Sequence, residues 1–322
     1  MTLWNERYET KRDQTQARLK TFYHKANKAL GGSLGIIRHA FTNLTYARGA
    51  EASAALAYYA LFSIFPALIA IVTIGSLFLD IDILRSSLIQ AVAEIFPVPE
   101  TISFVDAQLT AVLKVRGALT VIAAVSLIWS ASNVIDKVVI NINRAFPHGA
   151  GSGFLRNRGL ALIFILIMMV LFFASVGLTP LFQHLPAFSF EIGGVPFTKT
   201  VLWHWISFLI PLVLKFVMFF ITYTWLPNSR SINRRARAWG ALSAAVLWET
   251  VTKLLSFAIA KGFANYELLY GSLASIMVLL FWLYWTAFIL FLGAHITNAI
   301  NYHYKQRMAT QKSEQKLETE KA

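Results

Sequence analysis

The residues best placed to do chemistry lie within a long apolar stretch, AVLWETVTKLLSF, at residues 245–257. Glu249 and Lys253 are four residues apart with the glutamate first, the favourable orientation for an ion pair on one face of a helix. A lone charge near the middle of a membrane costs about 2.5–3.5 kcal/mol on insertion scales, and ionisable residues there are functional candidates by default. Lys215 lies near the centre of another apolar stretch and would complete a Lys–Glu–Lys cluster if the two helices were neighbours.

Two interpretations of this cluster remain open. It is either a structural pair that faces a neighbouring helix, or a polar patch along a substrate or ion route. In both interpretations we expect Glu249 and Lys253 to face the interior of a helical bundle. We favour the same for Lys215, whose alternative is to extend its ammonium group towards the membrane interface.

Weaker candidates lie near the ends of two other apolar stretches. Asn133 and Asp136 share one helical face with Ile140, which gives a polar stripe. The stripe is either a cytoplasmic mouth or, in the interpretation we favour, a helix emerging into water. His295 has no carboxylate partner at metal-ligand spacing, so we expect a hydrogen-bonded packing residue rather than a ligand.

Several classes of chemistry have no support in the sequence. There is no cysteine, which excludes disulfides and thiolate metal sites. The sequence has no H-E-x-x-H run, Walker A motif, G-x-G-x-x-G or G-x-S-x-G. We therefore expect no catalytic residues, no metal and no cofactor.

The composition is that of a membrane protein. Of the 322 residues, 57% are hydrophobic and only 14% are charged, and the mean hydropathy is +0.56. Such values are too apolar for an ordinary soluble domain. Six runs are long enough to cross a bilayer, which takes about 20 residues. They lie at about 53–79, 118–141, 159–181, 201–226, 238–260 and 273–299.

The basic residues predict which way these spans run. With six crossings, the side that holds both termini carries 21 of the 29 lysines and arginines, and the other side carries five. Basic residues accumulate on the cytoplasmic side, so both termini are predicted to be cytoplasmic. This distribution accounts for the net charge of +13 without a nucleic-acid partner, and makes membrane lipids the expected partners. It does not predict an oligomeric state.

The resulting fold prediction is all-α: a polytopic membrane bundle of six transmembrane helices with two short amphipathic helices on its outer side. The amphipathic helices fall within an insertion at about 80–117, where Pro97 and Pro99 separate two helical patterns. A basic cytoplasmic segment at 1–50 precedes the transmembrane domain at 51–300, and a polar cytoplasmic tail follows at 301–322.

Four blocks of the sequence resemble one bacterial family. ALAYYALFSIFPAL (55–68), LIWSASNVIDKVVININRAF (127–146), WLPNSRSINRRARAWGALSAAVLWETVTKLL (225–255) and YGSLASIMVLLFWLYWTAFILFLGAH (270–295) are similar to the YihY/BrkB family of inner-membrane proteins, formerly labelled ribonuclease BN. The resemblance implies a six-span, multi-pass inner-membrane protein. It implies structural roles at Tyr58, Ser63, Pro66, Trp129, Pro227, Gly240, Trp248, Tyr270, Gly271 and Gly293. The family usually has glutamate where this chain has His295.

Three functions are compared on this basis. A transporter or exporter of an anionic or amphiphilic envelope component would use the charge cluster, and the resemblance links some relatives to export of envelope lipid precursors. An envelope scaffold or interaction protein would use the charges structurally and depend on its tails. A ribonuclease is the least expected, because it needs metal ligands or an acid–base pair beside an RNA groove, and the sequence shows neither.

Overall fold

The structure, a computed structural model, describes residues 32–75, 81–95, 102–103, 105–110, 120–146, 191–192, 195–196, 201–227, 229, 231–261 and 274–321. Within these residues the chain is helical apart from a pair of two-residue antiparallel strands, β1 (Glu191–Ile192) and β2 (Val195–Pro196). The helices are α1 (Ser33–Tyr46), α2 (Gly49–Gly75), α3 (Ile81–Ile95), α4 (Thr120–Ala145), α5 (Val201–Trp225), α6 (Arg234–Ala260) and α7 (Ala274–Lys321). Residues 102–103 and 105–110 are helical as well. The all-α prediction is confirmed for this part of the chain.

Helices occur at five of the six predicted spans, as α2, α4, α5, α6 and α7. The remaining span, at 159–181, lies outside the described residues. Two helical stretches of the described chain are long and apolar enough to cross a membrane, Arg234–Ala258 and Ile276–Thr319, and Leu212–Trp225 is a shorter apolar one. These findings support a membrane protein, whereas the number of six crossings stays a prediction.

The long helix α7 organises the bundle. It packs against α6 on one side and α2 on another, while α4 packs on α2 and α5 packs on α6. A core of buried side chains runs through these contacts and includes Ile142, Tyr223, Ala244 and Phe291. The sequence therefore folds as two helix pairs, α2–α4 and α5–α6, joined through α7.

Two glycines set how closely α6 and α7 approach. A Cβ at Gly240 would overlap Thr297 of α7, and a Cβ at Gly293 would overlap the Tyr223 hydroxyl and lie 2.8 Å from Ala244 Cβ. Small residues at helix contacts allow backbones to come close, which is the usual basis of packing in membranes. The Tyr223 hydroxyl donates to the Leu290 carbonyl at 2.9 Å, which ties α5 to the same region of α7.

The start of α6 is fixed by an asparagine cap. The Arg235 amide donates to Asn233 Oδ1 at 2.9 Å, which satisfies one of the free amides of the first turn. The Asn233 amide in turn donates to Asn301 Oδ1 of α7 at 3.0 Å. The turn between α5 and α6 is thus joined to α7 through backbone and side-chain polar groups together.

Both terminal segments contain helix in the described chain. Within the predicted basic segment 1–50, residues 33–46 form α1, which packs against α7. There His39 stacks on Tyr302, with ring centroids 5.1 Å apart. At the other end, α7 continues without interruption to Lys321, so the predicted tail is the end of a 48-residue helix.

The predicted outer insertion is helical on both sides of its prolines. Arg85 of α3 donates to Asp106 at 2.7 and 2.9 Å. Leu88 of α3 is buried, as are Val105 and Leu109 of the second segment. The two predicted amphipathic helices therefore contact one another through a two-pronged ion pair.

We expect Asp106→Asn to loosen this insertion without unfolding the bundle. Both side chains are more than a third exposed, and exposed ion pairs contribute only about 0–1 kcal/mol. Hydrogen exchange by mass spectrometry should show faster exchange at 81–95 and 105–110 and unchanged exchange in α6 and α7. The swap Arg85→Asp/Asp106→Arg should restore slow exchange. Unchanged exchange in the single variant would mean that the ion pair does not hold the two segments together.

Candidate functional site

The Lys–Glu–Lys cluster predicted from the sequence is present between α5 and α6. Lys215 Nζ donates to Glu249 Oε2 at 2.5 Å, and Lys253 Nζ lies 3.5 Å from Glu249 Oε1. Each carboxylate oxygen of Glu249 therefore faces a different ammonium group. With two lysines and one glutamate, the cluster carries a formal net charge of +1.

The three side chains differ in exposure. Those of Lys215 and Glu249 are 27% and 23% exposed, as expected for groups turned largely into the bundle. The prediction that Lys253 also faces the interior is wrong, since its side chain is 61% exposed. The reason is geometric: Glu249 is already in contact with Lys215 of the neighbouring helix, so Lys253 reaches it along the surface of α6.

Aromatic rings pack between α5, α6 and α7 beside the residue that precedes Glu249. Trp248, next to Glu249, lies edge-on to Phe219 of α5 and to Trp282 of α7, each at a centroid distance of 5.9 Å. Edge-to-face pairs of this kind fix ring positions and so fix the helices that carry them. The aromatic contacts hold α5, α6 and α7 together at the level of Glu249.

The cluster has the properties of a binding or positioning element. The Glu249 carboxylate lies between the ammonium groups of Lys215 and Lys253, at 2.5 and 3.5 Å. Each of its oxygens is therefore attracted to a positive charge. Because both lysines share one carboxylate, the site has spare positive charge for an anion. Among the described residues, no group of three histidines, aspartates or glutamates is arranged to hold a metal ion.

The weaker candidates on α4 are not part of this cluster. Asn133 and Asp136 are partly exposed, and Ile140 on the same face is 46% exposed. Lys137, one residue further on, lies over the Tyr59 ring of α2 at 5.5 Å. Both interpretations of this stripe, a cytoplasmic mouth and a helix emerging into water, stay predictions.

His295 departs from the expectation of a hydrogen-bonded packing residue. It is buried, with 2% of its surface exposed, but its Nδ1 has no hydrogen-bond partner among the residues the structure describes. Buried polar atoms are nearly always paired, so each exception needs a physical explanation. The ring also lines a cavity of about 490 Å³.

That cavity is a feature that the sequence did not reveal. It lies where the α1–α2 turn meets the end of α4 and the side of α7, and is lined by Asn43, Tyr46, Ala47, Arg48, Arg144, Ala145, His295 and Asn298. These residues come from three distant parts of the chain, so no local motif marks them. The basic residues predicted at this end of the bundle were the one sequence feature that could have indicated such a site.

The residues assigned structural roles by resemblance are distributed along the bundle. Ser63 donates to the Tyr59 carbonyl at 2.8 Å, while Tyr58 is 56% exposed and packs beside Phe62. Pro66 and Trp129 lie within α2 and α4, and Pro227 follows α5. Gly240, Gly293 and Trp248 make the helix contacts given above. Tyr270 and Gly271 lie outside the described residues.

Comparison with known proteins identifies a family. The sequence model of a family described as "Virulence factor BrkB" matches residues 40–318, from within α1 to near the end of α7. The chain belongs to this family. The resemblance seen in the sequence blocks is thereby confirmed over most of the chain.

Three named relatives are similar to the chain. The chain is 28% identical to the ribonuclease-like protein YfkH of Bacillus subtilis (strain 168), over 85% of this chain and 97% of that one. It is 27% identical to a UPF0761 membrane protein of Vibrio atlanticus, over 86% and 85% of the two chains. UPF0761 membrane protein YihY of Salmonella paratyphi B is 38% identical over 33% of this chain and 36% of its own length. No solved structure matches the chain. These relatives support a bacterial membrane protein.

Proposed function

We propose that this BrkB-family protein crosses the bacterial inner membrane six times, with both termini in the cytoplasm, and exports an anionic or amphiphilic envelope component. The observation that carries the proposal is the charge cluster of Lys215, Glu249 and Lys253, which has a net positive charge within apolar helices. Charged residues are costly there, and two apolar side chains would avoid the cost. No catalytic step is part of the proposal.

The charge distribution supports the orientation. Basic residues are concentrated at both termini and in the loops on their side of the predicted spans. The cavity with Arg48 and Arg144 lies at that same end. An anion drawn to it would meet the cluster deeper in the bundle. Trp282 of α7 contacts Trp248, the neighbour of Glu249 in the sequence, and precedes His295 by thirteen residues, about 20 Å of helix.

A test of the proposal uses Glu249→Gln. Glutamine keeps a hydrogen-bond acceptor for the lysines but removes the charge, so we expect normal accumulation of the protein and loss of its function. The measurement is rescue of envelope integrity in a strain that lacks the gene, with Glu314→Gln on the exposed end of α7 as the matched control. Full rescue by Glu249→Gln would contradict the transport proposal.

A cysteine scan tests for an aqueous path in the same region. The chain has no cysteine, so single cysteines can be placed at Thr252 and Ser256, on the Glu249 side of α6. We expect a water-soluble maleimide to label both, and to leave a cysteine at Leu254, on the opposite exposed face, unlabelled in lipid. Protection of all three positions would indicate a dry bundle and a structural cluster.

A second candidate is an envelope scaffold, favoured by the exposed surface of residues 305–319 at the end of α7. In that case truncation after Tyr304 should abolish function, whereas an exporter should tolerate it. The two candidates thus predict opposite results from one deletion.

A further inference from the structure

We propose that the cavity between the α1–α2 turn, α4 and α7 binds a phosphate-bearing anion through Arg48, Arg144 and His295. The biological meaning of this binding rests on the export proposal, because the phosphate would be the chemical group by which the exported component enters the bundle. Binding itself can be measured without transport, so either proposal can fail alone. No residue within the charge cluster is involved.

The composition of the lining supports an anion. Two arginines, two asparagines and a histidine line the cavity, and none of its described lining residues is acidic. Arginine is the side chain that matches phosphate oxygens with paired N–H donors. At about 490 Å³ the cavity exceeds the size of a phosphate group and has room for the molecule to which the phosphate is attached.

His295 provides the independent observation. Its ring is buried at the cavity, and Nδ1 has no partner among the described residues. A ligand oxygen would satisfy this atom, with the Nδ1–H tautomer as donor. A purely structural histidine at this position would be expected to find a protein partner.

Arg48 lies in the short turn between α1 and α2, where its φ of 55° is the one positive value at a non-glycine residue in the described chain. A positive φ is common at the residue that follows a helix, and here it ends α1. The turn places Arg48 in the lining of the cavity.

Arg48 and Arg144 each have a protein partner, but these contacts leave guanidinium donors that can bind a ligand. Arg48 contacts Glu51 at 2.7 Å, but their side chains are 74% and 63% exposed, and so exposed a pair is weak and exchangeable. Arg144 donates to Asn141 Oδ1 at 2.9 Å, which uses one of its five donors. Both guanidinium groups can therefore contact a ligand at the cavity.

The test is protection of the thiol in an Ala47→Cys variant, since Ala47 lines the cavity in an otherwise cysteine-free chain. Full-length protein in phosphatidylcholine nanodiscs is labelled with a maleimide fluorophore, with and without inorganic phosphate. A second set of nanodiscs contains phosphatidic acid. We expect at least a threefold slower labelling with one or both probes. Protection by phosphate identifies a free phosphate group as sufficient, and protection by phosphatidic acid alone identifies a lipid headgroup.

The control variants separate binding from folding. Arg48→Gly removes the charge and relaxes the backbone, so it should keep the fold and, combined with Arg144→Gln, should abolish protection. Arg235→Gln removes the same charge from the same end of the bundle outside the cavity and should leave protection intact. The proposal is overturned if neither probe slows labelling of the folded Ala47→Cys protein, or if protection survives when Arg48→Gly and Arg144→Gln are added to it. Loss of transport in Glu249→Gln with intact protection would leave this proposal standing.

Discussion

Glu249→Leu is expected to destabilise the protein by about 3 kcal/mol, because it leaves the largely buried ammonium group of Lys215 without its carboxylate. With an unfolding entropy of about 2.1 cal/mol/K per residue, that corresponds for 322 residues to a fall in the unfolding temperature of about 4–5 °C. The chain has nine tryptophans, including Trp248 beside the cluster, so thermal unfolding followed by intrinsic fluorescence in detergent measures the shift directly.

The double variant Lys215→Leu/Glu249→Leu is the matched comparison. It removes both members of the short ion pair and leaves Lys253, whose exposed side chain can extend to a polar environment. Replacing a whole buried pair by apolar residues is often neutral for stability, so the double variant should unfold near the wild-type temperature. If the single and double variants were equally unstable, the ion pair would not be the reason for the loss.

Gly293→Ala is expected to destabilise the bundle by about 2 kcal/mol, although alanine is the better helix former. The added methyl group would overlap the Tyr223 hydroxyl and approach Ala244 Cβ to 2.8 Å, within a contact of α5, α6 and α7. Relief requires α7 to move away, which weakens the bond from Tyr223 to the Leu290 carbonyl. Thermal unfolding measures the change in stability.

Tyr223→Phe provides the control for this substitution, because it removes the hydroxyl that the added methyl group would overlap. In a Tyr223→Phe background the loss caused by Gly293→Ala should therefore be smaller. An equal loss in both backgrounds would contradict an overlap with the Tyr223 hydroxyl.

Much of the helix layout could be predicted from the sequence because apolar length is a direct physical requirement of a membrane span. The pairing of Glu249 with Lys253 followed from the four-residue spacing on a helix. The contact of Lys215 with Glu249 was conditional on α5 and α6 being neighbours, which the short connection between them favours.

The remaining features depend on contacts between distant parts of the chain. The orientation of Lys253 depends on where α5 lies. The sequence pattern of α6 does not indicate that position. The cavity joins Arg48, Arg144 and His295, which lie far apart in the sequence, and the positive φ of Arg48 has no sequence signal, since glycine or asparagine usually marks such a position. The sequence did not predict helix α1, because the basic residues of its segment indicated only which side of the membrane the segment occupies.

The unbroken helix α7 would convert a small tilt near the cavity into a large displacement at its C-terminal end. Its 48 residues extend about 72 Å, well beyond the thickness of a bilayer. Lys321 lies 26 residues beyond His295, about 39 Å along the axis, so a tilt of about 10° at the cavity would displace the tip by about 7 Å. A small rearrangement around a bound anion would thus change the distance between the tip of α7 and the bundle. A pair of labels, one at the tip and one on the bundle, could measure that change.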